Sequence, residues 1–264
     1  MDVKSSAYEL SGAVVLVTGG AKGIGCAIAE GFLREGATVV VCGRTTPERL
    51  PSQAGATARF IACDVRDPRA VSGMLARIAD EHSRLDVLVN NAGGSPAAPA
   101  AEVSPRFTEK IVQLNLLGPL YCAQGANALM QRQESGGCII NIASVSGVRP
   151  SPGTAAYGAA KAGLLHATET LAIEWGPRVR VNAIIAGLIQ TPAADEHYGG
   201  SRGLARIEAM LPLRRLGNGS DVAAACLYLA SPLARYVSGA KLAVHGGGEP
   251  PAILYLAASQ RELP

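Results

Sequence analysis

The sequence has few aromatic residues, 4% of 264 with a single tryptophan, and little charge, at 17%. With 48% hydrophobic residues, that scarcity of charge excludes a disordered chain, which needs the opposite balance. No apolar run approaches the ~20 residues of a membrane-spanning helix, so no membrane partner is expected. The start, MDVKSSAYEL, lacks a basic-then-apolar segment, and no secretory signal is expected. Neither charge sign dominates: 24 Lys and Arg face 21 Asp and Glu, for a net +3. The basic residues are scattered, whereas nucleic-acid binders gather theirs into a stripe. Six cysteines, at 26, 42, 63, 122, 138 and 226, never form a C-x-x-C pair. Most lie inside apolar runs, which reads as reduced thiols in the cytoplasm. His82, His166, His197 and His245 show neither H-x-x-x-H nor E-x-x-H spacing, so no metal site is expected.

Present instead is a regular alternation of apolar, strand-like runs with helix-length stretches. The strand-like runs are AVVLVT (13–18), TVVVC (38–42), ARFIAC (58–63), LDVLVN (85–90), CIINIA (138–143), VRVNAI (179–184) and a last one near 240–244. Helices are expected up to Arg34, from a Thr46-Pro47-Glu48 start, over 68–82, from Ser104-Pro105 to about Gln131, over 154–175 and over 220–230. The runs are continuously apolar rather than alternating, as in strands covered on both faces. This predicts an α/β fold: one Rossmann-type, doubly wound parallel sheet of about seven strands, with ligands at the carboxyl ends of the strands. No linker or repeat divides the chain, so residues 1–264 read as one domain. A polar, glycine-rich stretch at 187–218 interrupts the rhythm.

TGGAKGIG (18–25) follows the first strand and opens the first helix. Glycines at 19, 23 and 25 suit a tight turn, close approach to a pyrophosphate and packing of helix on strand. The helix N-terminus supplies N–H donors and a positive dipole to phosphates. The second strand ends Val41-Cys42-Gly43-Arg44, where a carboxylate would bind the ribose 2′-hydroxyl of NAD. Gly43 stands in the acid's place, and Arg44 and Lys22 add two cations. NADP(H) is therefore favoured over NAD(H).

Tyr157 and Lys161, four residues apart, share one helical face. A free tyrosine titrates near pH 10, and a neighbouring ammonium lowers this toward the range of a general acid or base. Ser144 ends a strand at the carboxyl edge, and Asn115 lies in the long helix before it.

Together these motifs resemble the classical short-chain dehydrogenases/reductases over about 11–248. In TGGAKGIG the resemblance assigns Thr18, Gly19, Lys22, Gly23, Ile24 and Gly25 to the cofactor loop. Asp64-Val65 is similar to the pair that holds the adenine. NNAG (90–93), with Asn91, Ala92 and Gly93, is similar to the motif that lines the cofactor site. NLLG (115–118), IASVSG (142–147) and YGAAK (157–161) carry the family's catalytic Asn115, Ser144, Tyr157 and Lys161. AGLIQT (186–191) is similar to the segment that holds the carboxamide through Gly187, Ile189 and Thr191. The family's proline before that glycine is Ala186 here, which removes a rigid φ and implies a looser turn.

The resemblance implies hydride transfer between a nicotinamide and a carbonyl carbon. Tyr157 would exchange the proton, Lys161 would hold Tyr157 and the ribose, Ser144 would position the substrate oxygen, and Asn115 would hold a water relay. It also implies a substrate lid at about 188–213 and a homo-oligomer, most simply a homotetramer. The tail AILYLAA (252–258) is expected to add an apolar contact. A 3-oxoacyl-thioester (carrier-protein) reductase is the rival activity, and a catalytically idle dinucleotide-binding protein is a further alternative.

Overall fold

The computed structural model describes residues 7–191 and 200–251. Asp195, Glu196 and His197 of the expected lid, and the tail AILYLAA, lie outside these residues.

Seven parallel strands form one sheet: β1 (Val14–Thr18), β2 (Thr38–Gly43), β5 (Arg59–Ala62), β6 (Val87–Asn90), β7 (Gly137–Ser144), β8 (Val179–Ala186) and β9 (Lys241–Val244), in the order β5-β2-β1-β6-β7-β8-β9. All five residues of β1 are buried, as the unbroken apolar run requires of a strand covered on both faces. From β1 the chain runs outward through β2 to β5 and then crosses back to β6 on the other side of β1. That reversal opens a crevice at the carboxyl ends of β1 and β6, the place where doubly wound sheets bind ligands.

Helices α1 (Gly23–Arg34) and α7 (Gly219–Ala230) pack together over one face of the sheet. The other face is covered by α2 (Pro68–His82), α3 (Pro105–Val112), α4 (Gly118–Met130) and α5 (Ala155–Trp175). Asp67 caps α2 with Pro68 at its first position, and Ser104 caps α3 with Pro105 likewise. A side-chain oxygen at the cap satisfies a free N–H, and proline costs nothing where no N–H is needed. Helix α6 (Gly200–Met210) lies within the interrupted stretch.

Two expectations fail. Thr46-Pro47-Glu48 opens no helix; the chain instead forms a hairpin of β3 (Ser52–Gln53) and β4 (Ala56–Thr57). Pro51 would break a helix begun at Pro47 after one turn, and Ala54 and Gly55 turn the hairpin with φ of 52° and 80°. Nor is 104–131 one α-helix, because a π-helical turn at Gln113–Leu117 separates α3 from α4. Pro119 has no N–H to send to the Asn115 carbonyl four residues back, so an unbroken α-helix cannot form there. The Asn115 side chain compounds this by donating from Nδ2 to the Ile111 carbonyl at 2.9 Å.

Candidate functional site

At the nucleotide end, the glycine loop is a backbone surface. Gly19 and Gly23 have φ of 63° and 55°, a region that side chains disfavour. A Cβ on Gly25 would lie 2.5 Å from both Asn91 Nδ2 and the Gly19 carbonyl. At Gly23 the same position is open, with Thr191 Cγ2 at 4.0 Å as its nearest neighbour. The loop and Thr191 therefore face each other across a gap. Asn91 staples the loop through Nδ2, which donates to the Thr18 and Gly19 carbonyls at 3.0 and 3.2 Å. Thr18 Oγ1 accepts the N–H groups of Asn91 and Ala92, both at 3.0 Å. Ile24 packs against the core on one side of the sheet, and Val65 is buried on the other.

Beside the loop, Lys22 and Arg44 are exposed. Asp64 is engaged by Arg66, whose Nε and Nη2 donate to its two oxygens at 2.9 and 2.6 Å. These bonds hold the Asp64 carboxyl below the usual carboxylate range, and the charge of Arg44 adds to the effect. Arg66 escapes a motif reading; its only sequence signal is a cation two residues after the acid. A Cβ on Gly43 would meet nothing closer than Phe60 Cε2 at 3.7 Å. A side chain at this position therefore has space.

At the other end of the crevice, Asn115 is completely buried. Its Oδ1 accepts the Gly94 N–H at 2.8 Å, and its Nδ2 donates to the Gly94 carbonyl at 2.9 Å. Lys161 is 3% exposed and donates to the Ile142 carbonyl at 2.8 Å, two residues before Ser144. Burial pushes its ammonium down to about 8. Its Nζ lies 5.7 Å from the centre of the Tyr157 ring. Gly93 meets both groups, since a Cβ there would lie 2.7 Å from Asn115 Oδ1 and 3.2 Å from Lys161 Nζ. Ser144 Oγ accepts the Ser146 N–H at 3.2 Å. Asn115, Lys161 and Tyr157 are thereby drawn together around Gly93, with Ser144 at the adjoining strand end.

A buried polar chain supports this end. Asn90 Nδ2 donates to Asn141 Oδ1 and to the Pro119 carbonyl, and Asn141 Nδ2 donates to Thr168 Oγ1, at 2.9, 3.0 and 2.9 Å. Asn141 and Thr168 were not legible as site supports: Asn141 sits in an apolar run and Thr168 in a mixed helical stretch, and only the tertiary fold shows what each joins. Gly187 takes a hydrogen bond from its N–H to the Val244 carbonyl and leaves no room for a Cβ against His245. Ile189 is buried and bridges to Gly217. Ala186 is a full member of β8, in register with Ser144 on β7 and Val244 on β9. Neighbouring strands on both sides thus flank the position that proline takes in the family.

A switch-point crevice with a glycine-lined helix N-terminus at one end and a buried lysine beside a tyrosine at the other defines a dinucleotide-dependent oxidoreductase. Residues 19–249 match the family model described as enoyl-(acyl carrier protein) reductase. D-threitol dehydrogenase of Mycolicibacterium smegmatis is 35% identical over 91% of this chain and 94% of that protein. 3beta-hydroxysteroid dehydrogenase 1 of Eggerthella lenta is 36% identical over 90% of this chain and 94% of its own. Among solved structures, the aldohexose dehydrogenase of Thermoplasma acidophilum superposes with a TM-score of 0.85 at 31% identity, covering 92% of this chain and 96% of that one. The chain belongs to the short-chain dehydrogenase/reductase family, whose members are oxidoreductases that bind a nicotinamide dinucleotide.

Proposed function

We propose that the chain is an NADP(H)-dependent oxidoreductase that interconverts a ketone and a secondary alcohol, with Tyr157 as the acid/base. The observation that carries the reading is the buried Lys161 ammonium, fixed by the Ile142 carbonyl and set 5.7 Å from the Tyr157 ring. A fixed positive charge favours the phenolate over the phenol. Tyr157 then gives a proton to a forming alkoxide or takes one from an alcohol. Ser144 directs the substrate oxygen toward Tyr157. Asn115 keeps Gly93 and Gly94 in place and, because Pro119 lacks an N–H, has a backbone carbonyl free of the usual α-helical bond to hold a water that resupplies Lys161.

The residues present fit a dinucleotide: the open cradle at Gly23 suits a pyrophosphate, and Gly187, Ile189 and Thr191 would hold the carboxamide end. When bound, that cofactor supplies or accepts the hydride. Lys22 and Arg44, with space but no acid at Gly43, suit a 2′-phosphate through charge-assisted hydrogen bonds.

The chain is read as one domain with 188–213 as substrate lid, a reading supported by α6, which buries none of its residues. Ile173, Leu233 and Tyr236 are 84%, 60% and 102% exposed. Large apolar side chains so exposed suit a subunit interface, and a homotetramer is the assembly proposed. The six free thiols suit a reducing cytoplasm.

The test is NADPH oxidation against a panel of ketones and 3-oxoacyl thioesters. Turnover of simple ketones or of secondary alcohols is the expected result. Turnover confined to thioesters would instead establish the second reading; the description of the matching family model shares the acyl carrier with that reading but names an enoyl rather than a 3-oxoacyl group. No turnover of any carbonyl, with cofactor bound, would leave a non-catalytic binding protein.

A further inference from the structure

The loop between β7 and α5 lines an open cavity, apolar over most of its surface, that the proposed reaction does not use. The cavity measures about 390 Å³ and is lined by Ser146, Arg149, Ser151 and Thr154 together with the small residues at the start of α5. Its hydroxyls are linked: Ser146 Oγ lies 3.2 Å and Thr154 Oγ1 2.8 Å from Ser151 Oγ. Arg149 is anchored close to the catalytic strand, because its N–H donates to the Val145 carbonyl at 3.1 Å, one residue past Ser144.

The Arg149 guanidinium is only partly used. Nη1 donates to the Pro150 carbonyl at 2.9 Å and Nη2 to Glu249 at 2.6 Å, while Nε is buried without a partner. Nε and Nη2 form the side of the guanidinium that grips an oxyanion with two parallel bonds, as Arg66 grips Asp64. Glu249 takes one arm of that fork and leaves the other empty. It arrives from 100 residues away on a strap of three consecutive glycines, Gly246, Gly247 and Gly248, with φ of 64°, 95° and 83°. Few other residues tolerate one such conformation, let alone three in a row.

We propose that Arg149, with the hydroxyls of Ser146, Ser151 and Thr154, forms a binding site for a small oxyanion, a carboxylate or a phosphate, and that Glu249 is its internal competitor. The anion takes both arms of the fork and displaces Glu249, and the glycine strap lets it leave. The anion comes either from solution or as the acidic end of the carbonyl substrate. Only the second source rests on the proposed activity.

Calorimetric titration of the intact protein with inorganic phosphate tests the site without requiring turnover. Glu249→Gln removes the competitor's charge and is expected to bind phosphate at least tenfold more tightly than the unmodified protein. Arg149→Met is expected to lose the binding, and Arg149→Lys, which keeps the charge but not the fork, to retain a weakened form. Cofactor binding by each variant confirms that it is folded. Equal phosphate affinity in all four proteins, or no binding even in Glu249→Gln, overturns the proposal. The source is then read from the KM of a keto acid and of its methyl ester. A tenfold shift confined to the acid assigns the site to the substrate, and unchanged KM values beside altered phosphate binding assign it to a free anion.

Discussion

The two ends of the crevice are built in different ways. The nucleotide end is local: Thr18 to Gly25 is one continuous turn from β1 into α1, and its surface is backbone. The catalytic end is assembled from a distance by side chains. Asn115 reaches Gly94, Lys161 reaches the Ile142 carbonyl, and Asn90, Asn141 and Thr168 tie β6, β7 and α5 into one buried chain. Backbone surfaces bind any anion of the right shape, whereas reaction chemistry needs titratable atoms held at fixed positions. An added Cβ at Gly25 and a lost hydrogen bond at Asn115 are therefore different kinds of damage to the two ends.

The largest expected effect falls at the catalytic end. Tyr157→Phe removes the proton donor and keeps the ring, so turnover should fall by about two to four orders of magnitude. Tightness of NADPH binding, followed by fluorescence, should hardly change. Retention of most activity would mean that this end is not where the proton moves.

Asn115→Ala sharpens the same contrast through stability. It removes three hydrogen bonds, two part-buried ones to the Gly94 N–H and carbonyl and a buried one to the Ile111 carbonyl, each contributing about 0.5–1.5 kcal/mol. Urea denaturation should show a loss of that order, with turnover reduced as well. A neutral result would show that the π-helical turn is held by Pro119 alone.

At the nucleotide end, Gly43→Asp installs the missing carboxylate where only Phe60 Cε2 stands nearby. Repulsion of a 2′-phosphate should shift the ratio of NADPH to NADH affinity by roughly tenfold or more, as expected for a contact to a charged group. Stability should not change measurably. Equal affinity for the two cofactors in the unmodified protein would remove the basis for the NADP preference.

A separate effect lies in the pH dependence of the cofactor-free protein. Lys161 falls to about 8 in the folded chain from an ordinary 10.5, so across that window the unfolded state binds more protons. Stability contributed at this position must therefore rise as pH increases from about 8 to 10.5, and it carries its full penalty below 8. Lys161→Met should abolish that rise in a series of thermal melts, even though it damages turnover. A rise that survives the substitution belongs to another group.

Much of this was legible beforehand. Continuous apolar runs announce strands covered on both faces, and the helix expected over 68–82 is found at Pro68–His82. The glycine loop was legible because its turn needs glycines at fixed spacing in the sequence, although Asn91 holds it from a distance. The helix expected from Thr46 was misjudged because a good cap cannot outweigh a proline one turn later. The break at Gln113–Leu117 had a signal in Pro119, but a proline near the start of a second helix reads as an ordinary helical residue until the break is seen.

By itself, then, the sequence determined the succession of the seven sheet strands, the glycine turn between β1 and α1 and the spacing of Tyr157 and Lys161, because each is set largely by residues close in the chain. Only the tertiary structure decided that Asn115 holds Gly94, that Lys161 is buried against Ile142 and that Glu249 meets Arg149. Those contacts join residues brought together by the sheet's crossovers, and no local pattern encodes which distant partner a buried polar group will find.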